Sequence, residues 1–147
     1  MSVPDTRVEV IDPQALEAAG WRSKAGQGFN VAVGPFWMRG RDAEREVGLI
    51  VREQHTNNAG RMHGGALMTF ADISLGSGAG DALGHKYCVT AQMNVQFVSG
   101  AHVGEFVVCR PELVRRSAQL VFMRGLITVA DRAIASAEGI WKELQAK

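Results

Sequence analysis

From position 64 to 80 the chain carries Leu67, Phe70, Ala71 and Leu75 with Ala66, Met68 and Ile73, so a 3.6-residue period leaves almost no polar face. A helix buried nearly all round is predicted there. Gly76, Gly78, Gly80 and Gly84 read as its termination, leading into a loop that reaches Lys86. Residues 87–98 then alternate, with Val89, Ala91, Met93, Val95 and Phe97 on one face and Thr90, Gln92, Asn94 and Gln96 on the other. That is the pattern of a half-buried strand. Three more strands are expected over 103–113, 118–129 and 133–142, divided by turns at Arg115-Arg116-Ser117 and Ala130-Asp131-Arg132. Pro111 marks a bulge or an exposed edge in the first of them.

Ahead of the helix the pattern is weaker. Asp12-Pro13 before residues 14–20 predicts a short helix with an Asp cap, Pro in its first turn and Gly20 at its end, within an N-terminal cover over 1–25. Short runs at 29–33, 36–40 and 46–53, set apart by glycines and charges, predict strands. Strands, one long helix and then a meander of four long strands lack the alternation that a parallel sheet needs. The expectation is an α+β fold in which a curved antiparallel sheet wraps around one long central helix. The 147 residues suffice for a single domain over 1–147.

Composition narrows the possible partners. Sixteen basic and fifteen acidic residues are interleaved to a formal charge of +1, so no extended field attracts nucleic acid or an anionic membrane, and neither is expected. The 46% of apolar residues fits a folded chain, and no run nears the roughly 20 apolar residues that span a bilayer. The N-terminus lacks a signal-peptide pattern, so a cytoplasmic location is expected. Cys88 and Cys109 lie in strand-like apolar runs and are expected as buried free thiols. His55, His63, His85 and His102 have no ligand spacing, so no metal is expected.

The densest chemistry runs from Asn57 to Gly65 and on to Asp72. A helix start presents unpaired amides and partial positive charge, and Gly64-Gly65 lets a ligand oxygen approach them, which suits an oxyanion. Asp72 is the only acidic residue between Glu53 and Asp81, and burying an unpaired carboxylate costs several kcal/mol. It needs a partner, an aqueous cavity or a function. Asp72 lies eight residues beyond Gly64, about 12 Å along a helix axis, so one carbonyl cannot touch both within one chain. Two such helices packed antiparallel about a two-fold axis would bring the start of one beside Asp72 of the other. Gly65, Thr69, Asp72 and Gly76 form a small or polar stripe that either allows this approach or faces its own sheet. His63 either orients the loop and polarises a ligand or merely caps the helix; Asn57 either positions water or is a turn residue.

Asn57, Gly60, His63-Gly64-Gly65 and Asp72, in this order and spacing, resemble the hotdog-fold thioesterases, in particular the phenylacetate-degradation (PaaI-like) acyl-CoA thioesterase group. The motif similarity covers residues 55–98, and the element order most of the chain. The resemblance implies hydrolysis of a medium- or long-chain or aryl acyl-CoA, with no cofactor beyond the coenzyme A of the substrate. It implies that the Gly64 amide receives the thioester carbonyl oxygen while Asp72 of the partner subunit activates water or attacks directly. Asn57 would hold water or substrate, His63 would support the carbonyl end, and Thr90 stands where the family has a Ser or Thr that assists the carboxylate. The assembly it implies is a homodimer, pairing further into a tetramer. Gly65 is a candidate for substrate binding, and Arg115, Arg116 and Lys86 are candidates for the CoA phosphates.

Two other readings stay open. A hotdog hydratase or dehydratase would also place a His and a carboxylate at a subunit interface. A non-catalytic acyl-CoA-binding protein would bind without releasing CoA.

Overall fold

The computed structural model describes residues 10–84 and 87–145. Asp12 caps a short helix α1 (Pro13–Ala18), its side chain accepting from the Gln14 amide at 3.0 Å, and a short strand β1 (Arg22–Lys24) follows. Next come a one-turn helix α2 (Phe29–Val33) and strands β2 (Phe36–Arg39) and β3 (Glu46–Ile50). The central helix α3 spans Gly64–Leu83. Strands β4 (Cys88–Phe97), β5 (Phe106–Cys109), β6 (Glu112–Arg116), β7 (Leu120–Val129) and β8 (Arg132–Glu143) complete the chain.

All strand pairs are antiparallel, in the order β1-β2-β3-β5-β7-β8-β4, with β6 also on β7. The sheet curves around α3, which packs on β3, β4, β6, β7 and β8. The helix buries Leu67, Phe70, Ala71, Ser74, Leu75, Gly78 and Ala79 at steps of three and four. Trp37 and Ile50 on the other face of the sheet join Leu16 and Trp21 in a second cluster, which is how the N-terminal segment covers that face. Among the described residues no helix is long and apolar enough to cross a membrane.

Several sequence expectations are corrected. Residues 29–33 form helix α2 because β1 already occupies the edge of β2, while Gly28 and Gly34 bound the run and the Gly34 amide closes it onto the Asn30 carbonyl at 2.7 Å. The central helix runs through Gly76, Gly78 and Gly80 and stops at Gly84, whose φ of 75° is the left-handed cap. Gly78 serves close packing: a Cβ there would lie 2.6 Å from the Met123 methyl and from the Pro111 ring. Only one side of α3 is buried, since one sheet covers one side, and Met68 opposite is 38% exposed. The strand expected over 103–113 breaks at Pro111 into β5 and β6, both on β7, so Arg115 and Arg116 end a strand rather than form a turn. The four-strand meander is also absent, because β4 pairs with β8 at the far edge and residues 98–105 carry the chain back across. That crossing is pinned by the Met62 amide on the Ala101 carbonyl and the Gly104 amide on the Val51 carbonyl.

His55 ties the entry of α3 to α2. Its Nδ1 accepts from the Arg52 amide at 3.0 Å, its Nε2 lies 2.6 Å from the Val33 carbonyl, and its own carbonyl accepts from the His63 amide. An Nε2–H tautomer satisfies all three. Burial pushes its pKa below the ordinary 6.5, outweighing the opposite pull of the Val33 carbonyl. The unfolded chain therefore takes up this proton first as pH falls. Stability is full above about pH 6.5 and declines below it, a slope that chemical denaturation between about pH 7 and 5 should show and that His55→Gln should flatten. Gly78→Val should lower stability by about 1–3 kcal/mol, read from the urea midpoint, because neither Pro111 nor β7 can withdraw. An unchanged midpoint would contradict the close-packing role.

Candidate active site

Simple alternation along β4 would turn Thr90 away from the helix with Gln92 and Asn94. The structure instead inserts a β-bulge: Thr90 pairs with Trp141 and Gln92 with Ile140, so Ala91 is the extra residue. Beyond it Met93 and Val95 pack on the core; before it Cys88 packs there too, and Thr90 turns towards α3. Gly139 makes room, since a Cβ there would lie 2.6 Å from the Gln92 carbonyl oxygen. The result is a 2.5 Å hydrogen bond from the Thr90 hydroxyl to Asp72 Oδ1. No cation pairs with Asp72 among the described residues. Its second oxygen has no hydrogen-bond partner among the described residues. Burial raises the pKa of the neighbouring Cys88 thiol and the Asp72 charge raises it further, so this half-buried thiol stays protonated.

Asp72 and Thr90 stand on the wall of a cleft of about 860 Å³ that follows α3 down to Gly84. Phe36, Met38, Ile73, Val89 and Trp141 give it apolar surface. Lys24, Arg41 and a bidentate ion pair between Arg45 and Asp81 also line it. Burial raises the Asp81 pKa, but the hydrogen bond and charge of Arg45, the Asp42 amide and the Lys24 charge together outweigh this and leave it below its ordinary value. The Asp42 amide adds a third bond at 3.1 Å and fixes the loop over the last turns of the helix.

The other expected residues gather at the helix start and do not line this cleft. His63 is the N-cap, its Nδ1 accepting from the Gly65 amide at 2.8 Å, so Gly65 is committed to capping. The Gly64 amide has no acceptor among the described residues and remains available. Asn57 builds a turn: its Oδ1 accepts from the Ala59 and Arg61 amides, which leaves only its side-chain N–H groups for a ligand. With Gly64 eight residues before Asp72, about 12 Å along the axis, one chain holds the two halves apart.

Arg116 is engaged elsewhere, donating to the Ala82 carbonyl at the end of α3 and lying 3.9 Å from the Glu143 carboxylate. Arg115 is exposed on β6, and neither lines the cleft. Lys86 and His85 lie outside the described residues. Sequence reasoning missed Trp141, Arg41 and the Arg45–Asp81 pair as parts of the cleft wall. The spacing of Arg45 and Asp81, 36 residues apart, carries no local signal.

Residues 59–136 match the sequence profile of the thioesterase superfamily. A Pseudomonas aeruginosa protein bearing an esterase name is 31% identical over 112 residues, 74% of this chain and 83% of that one. Mouse thioesterase superfamily member 2 superimposes with a TM-score of 0.69 at 25% identity, over 80% of this chain and 88% of that one. The PaaI protein of the E. coli phenylacetic acid degradation operon has the same fold at 14% identity, with a TM-score of 0.64 over 92% and 88% of the two chains. So does a hypothetical thioesterase of Streptococcus pneumoniae solved with coenzyme A, at 20% identity and a TM-score of 0.65 over 76% and 88%. The profile covers more than half of the chain and the architecture agrees with it: the chain belongs to the thioesterase superfamily and has its hotdog fold.

Proposed function

We propose that the protein hydrolyses acyl-CoA thioesters of medium- or long-chain or aryl acids, in a site shared by two copies of the chain. The observation that carries this is Asp72: a carboxylate on the central helix, unpaired with any cation among the described residues, with one oxygen held by Thr90, on the wall of a cleft with apolar and charged stretches. A thioester is already activated, so its hydrolysis requires a positioned base and an oxyanion donor, and no metal. Thr90 fixes the carboxylate; Asp72 takes a proton from a water that adds to the carbonyl carbon, or attacks that carbon itself to form an anhydride that water then hydrolyses. In either case the C–S bond breaks, the sulfur leaves as the protonated CoA thiol and the free acid is released. The free Gly64 amide of the partner subunit receives the carbonyl oxygen, with His63 and Asn57 shaping that end.

The exposed faces support such a pairing. Strand β4 is a sheet edge ten residues long, and Met68, Val89, Phe97 and Val98 are exposed on or beside it. A Cβ at Gly64 would lie 3.5 Å from the Phe97 ring, which places the helix start against the end of the same strand. The acyl group fits the cleft below Asp72. The CoA-bound Streptococcus pneumoniae relative of the same fold supports CoA as the leaving group. Pairing of dimers into a tetramer is part of the same proposal.

Asp72→Asn should keep the melting temperature and reduce thiol release from acyl-CoA substrates by roughly 100- to 10,000-fold. Thr90→Val should lower kcat more than it raises KM, since the bond positions the base. Near-normal turnover of Asp72→Asn would reject the assignment.

A further inference from the structure

Trp141 is 2% exposed and lies next to Thr90 in the register of β4 and β8. Two glycines seat its indole. A Cβ at Gly139 would lie 2.8 Å from the far carbons of the six-membered ring, and one at Gly76 would lie 3.3 Å from Nε1. The N–H edge therefore faces α3 at Gly76, four residues and one turn beyond Asp72, on the wall of the same cleft. This N–H donates to no group of the chain among the described residues, and unlike Trp37 Nε1 it is not sealed from the cleft.

A donor left without an acceptor in a ligand cavity is costly when an apolar group covers it, and selective when the ligand brings an oxygen to it. The offset fixes where that oxygen must be. Gly76 lies about 6 Å beyond Asp72 along the helix axis, the span of four or five C–C bonds. We propose that the Trp141 indole N–H is a specificity donor, selecting acyl groups that carry a keto or hydroxyl oxygen at about the fifth carbon of the acyl chain. This rests on the reading that the acyl group occupies the cleft below Asp72. The Ser77 hydroxyl does not compete for the role, because it donates to the Ile73 carbonyl.

The test compares 5-oxohexanoyl-CoA with hexanoyl-CoA, equal in chain length and different only in the acceptor. The native protein should favour the oxo substrate by at least about tenfold in kcat/KM, and Trp141→Phe should bring the ratio to within about twofold, whatever its effect on hexanoyl-CoA turnover. A wild-type ratio near one, or an equal loss on both substrates, overturns the proposal. The second readout needs neither turnover nor a folded variant at position 141. The three tryptophans give three indole N–H resonances, assigned by Trp21→Phe and Trp37→Phe, and 5-oxohexanoate should move the Trp141 resonance downfield where hexanoate does not. Identical shifts from the two acids also overturn it. Absence of CoA release from both thioesters would contradict the hydrolytic reading instead, while the indole resonance still decides whether Trp141 is a donor to the ligand.

Discussion

A carboxylate on the central helix of a small domain is held only where at least one of its oxygens is taken up, and here a single hydroxyl, that of Thr90, does this from the neighbouring strand. The bond depends on the bulge at Ala91, because regular pleating would turn Thr90 to the opposite face. The bulge in turn depends on Gly139, whose missing side chain leaves room for the displaced carbonyl of Gln92 and for the ring of Trp141. Three residues on two strands thus set the orientation of one acid on a third element. Because one Asp72 oxygen is fixed and no cation neutralises the group among the described residues, the carboxylate is held in place yet chemically free.

The parts of this design with a local signature were legible in the sequence. The dense apolar run gave the central helix, Asp12 with Pro13 gave α1, and the spacing from His63-Gly64-Gly65 to Asp72 marked the helix start and the acid on which the proposed chemistry rests. Where the reading failed, a tertiary contact decided. Glycines 76, 78 and 80 look like helix breakers, but they lie inside the helix, and at two of them it is pressed against the sheet: Gly78 against Met123 and Pro111, and Gly76 against Trp141. Residues 29–33 look like a strand, but the edge they would join was already taken by β1. Thr90 looked misdirected because a one-residue bulge leaves no trace in an alternating pattern. Trp141, read as an ordinary strand residue, gained its place on the cleft wall from two glycines 63 residues apart.

The helix start and the acid are also separated by the helix itself. Gly64 offers an unused amide at one end, Asp72 a held carboxylate two turns on, and the cleft touches only the second. Side chains cannot close that gap. In the proposed dimer a second copy docked along the edge of β4 would do so, bringing each helix start to the other's acid and covering the apolar residues that one sheet leaves bare. Small hotdog chains would then need association for chemistry as much as for burial.

The most direct test of this shared site mixes two defective chains. Asp72→Asn removes the acid. Gly64→Pro removes the amide at a first helical position where proline is tolerated and where His63, at ψ 140°, already has the extended backbone that precedes proline. Each variant alone should release almost no thiol from an acyl-CoA. Co-expressed, they form mixed dimers in which one of two sites is intact, so about a quarter of native activity should return. A mixture that stays as inactive as its components would contradict the account, because a site contained in one chain cannot be rebuilt from two broken ones.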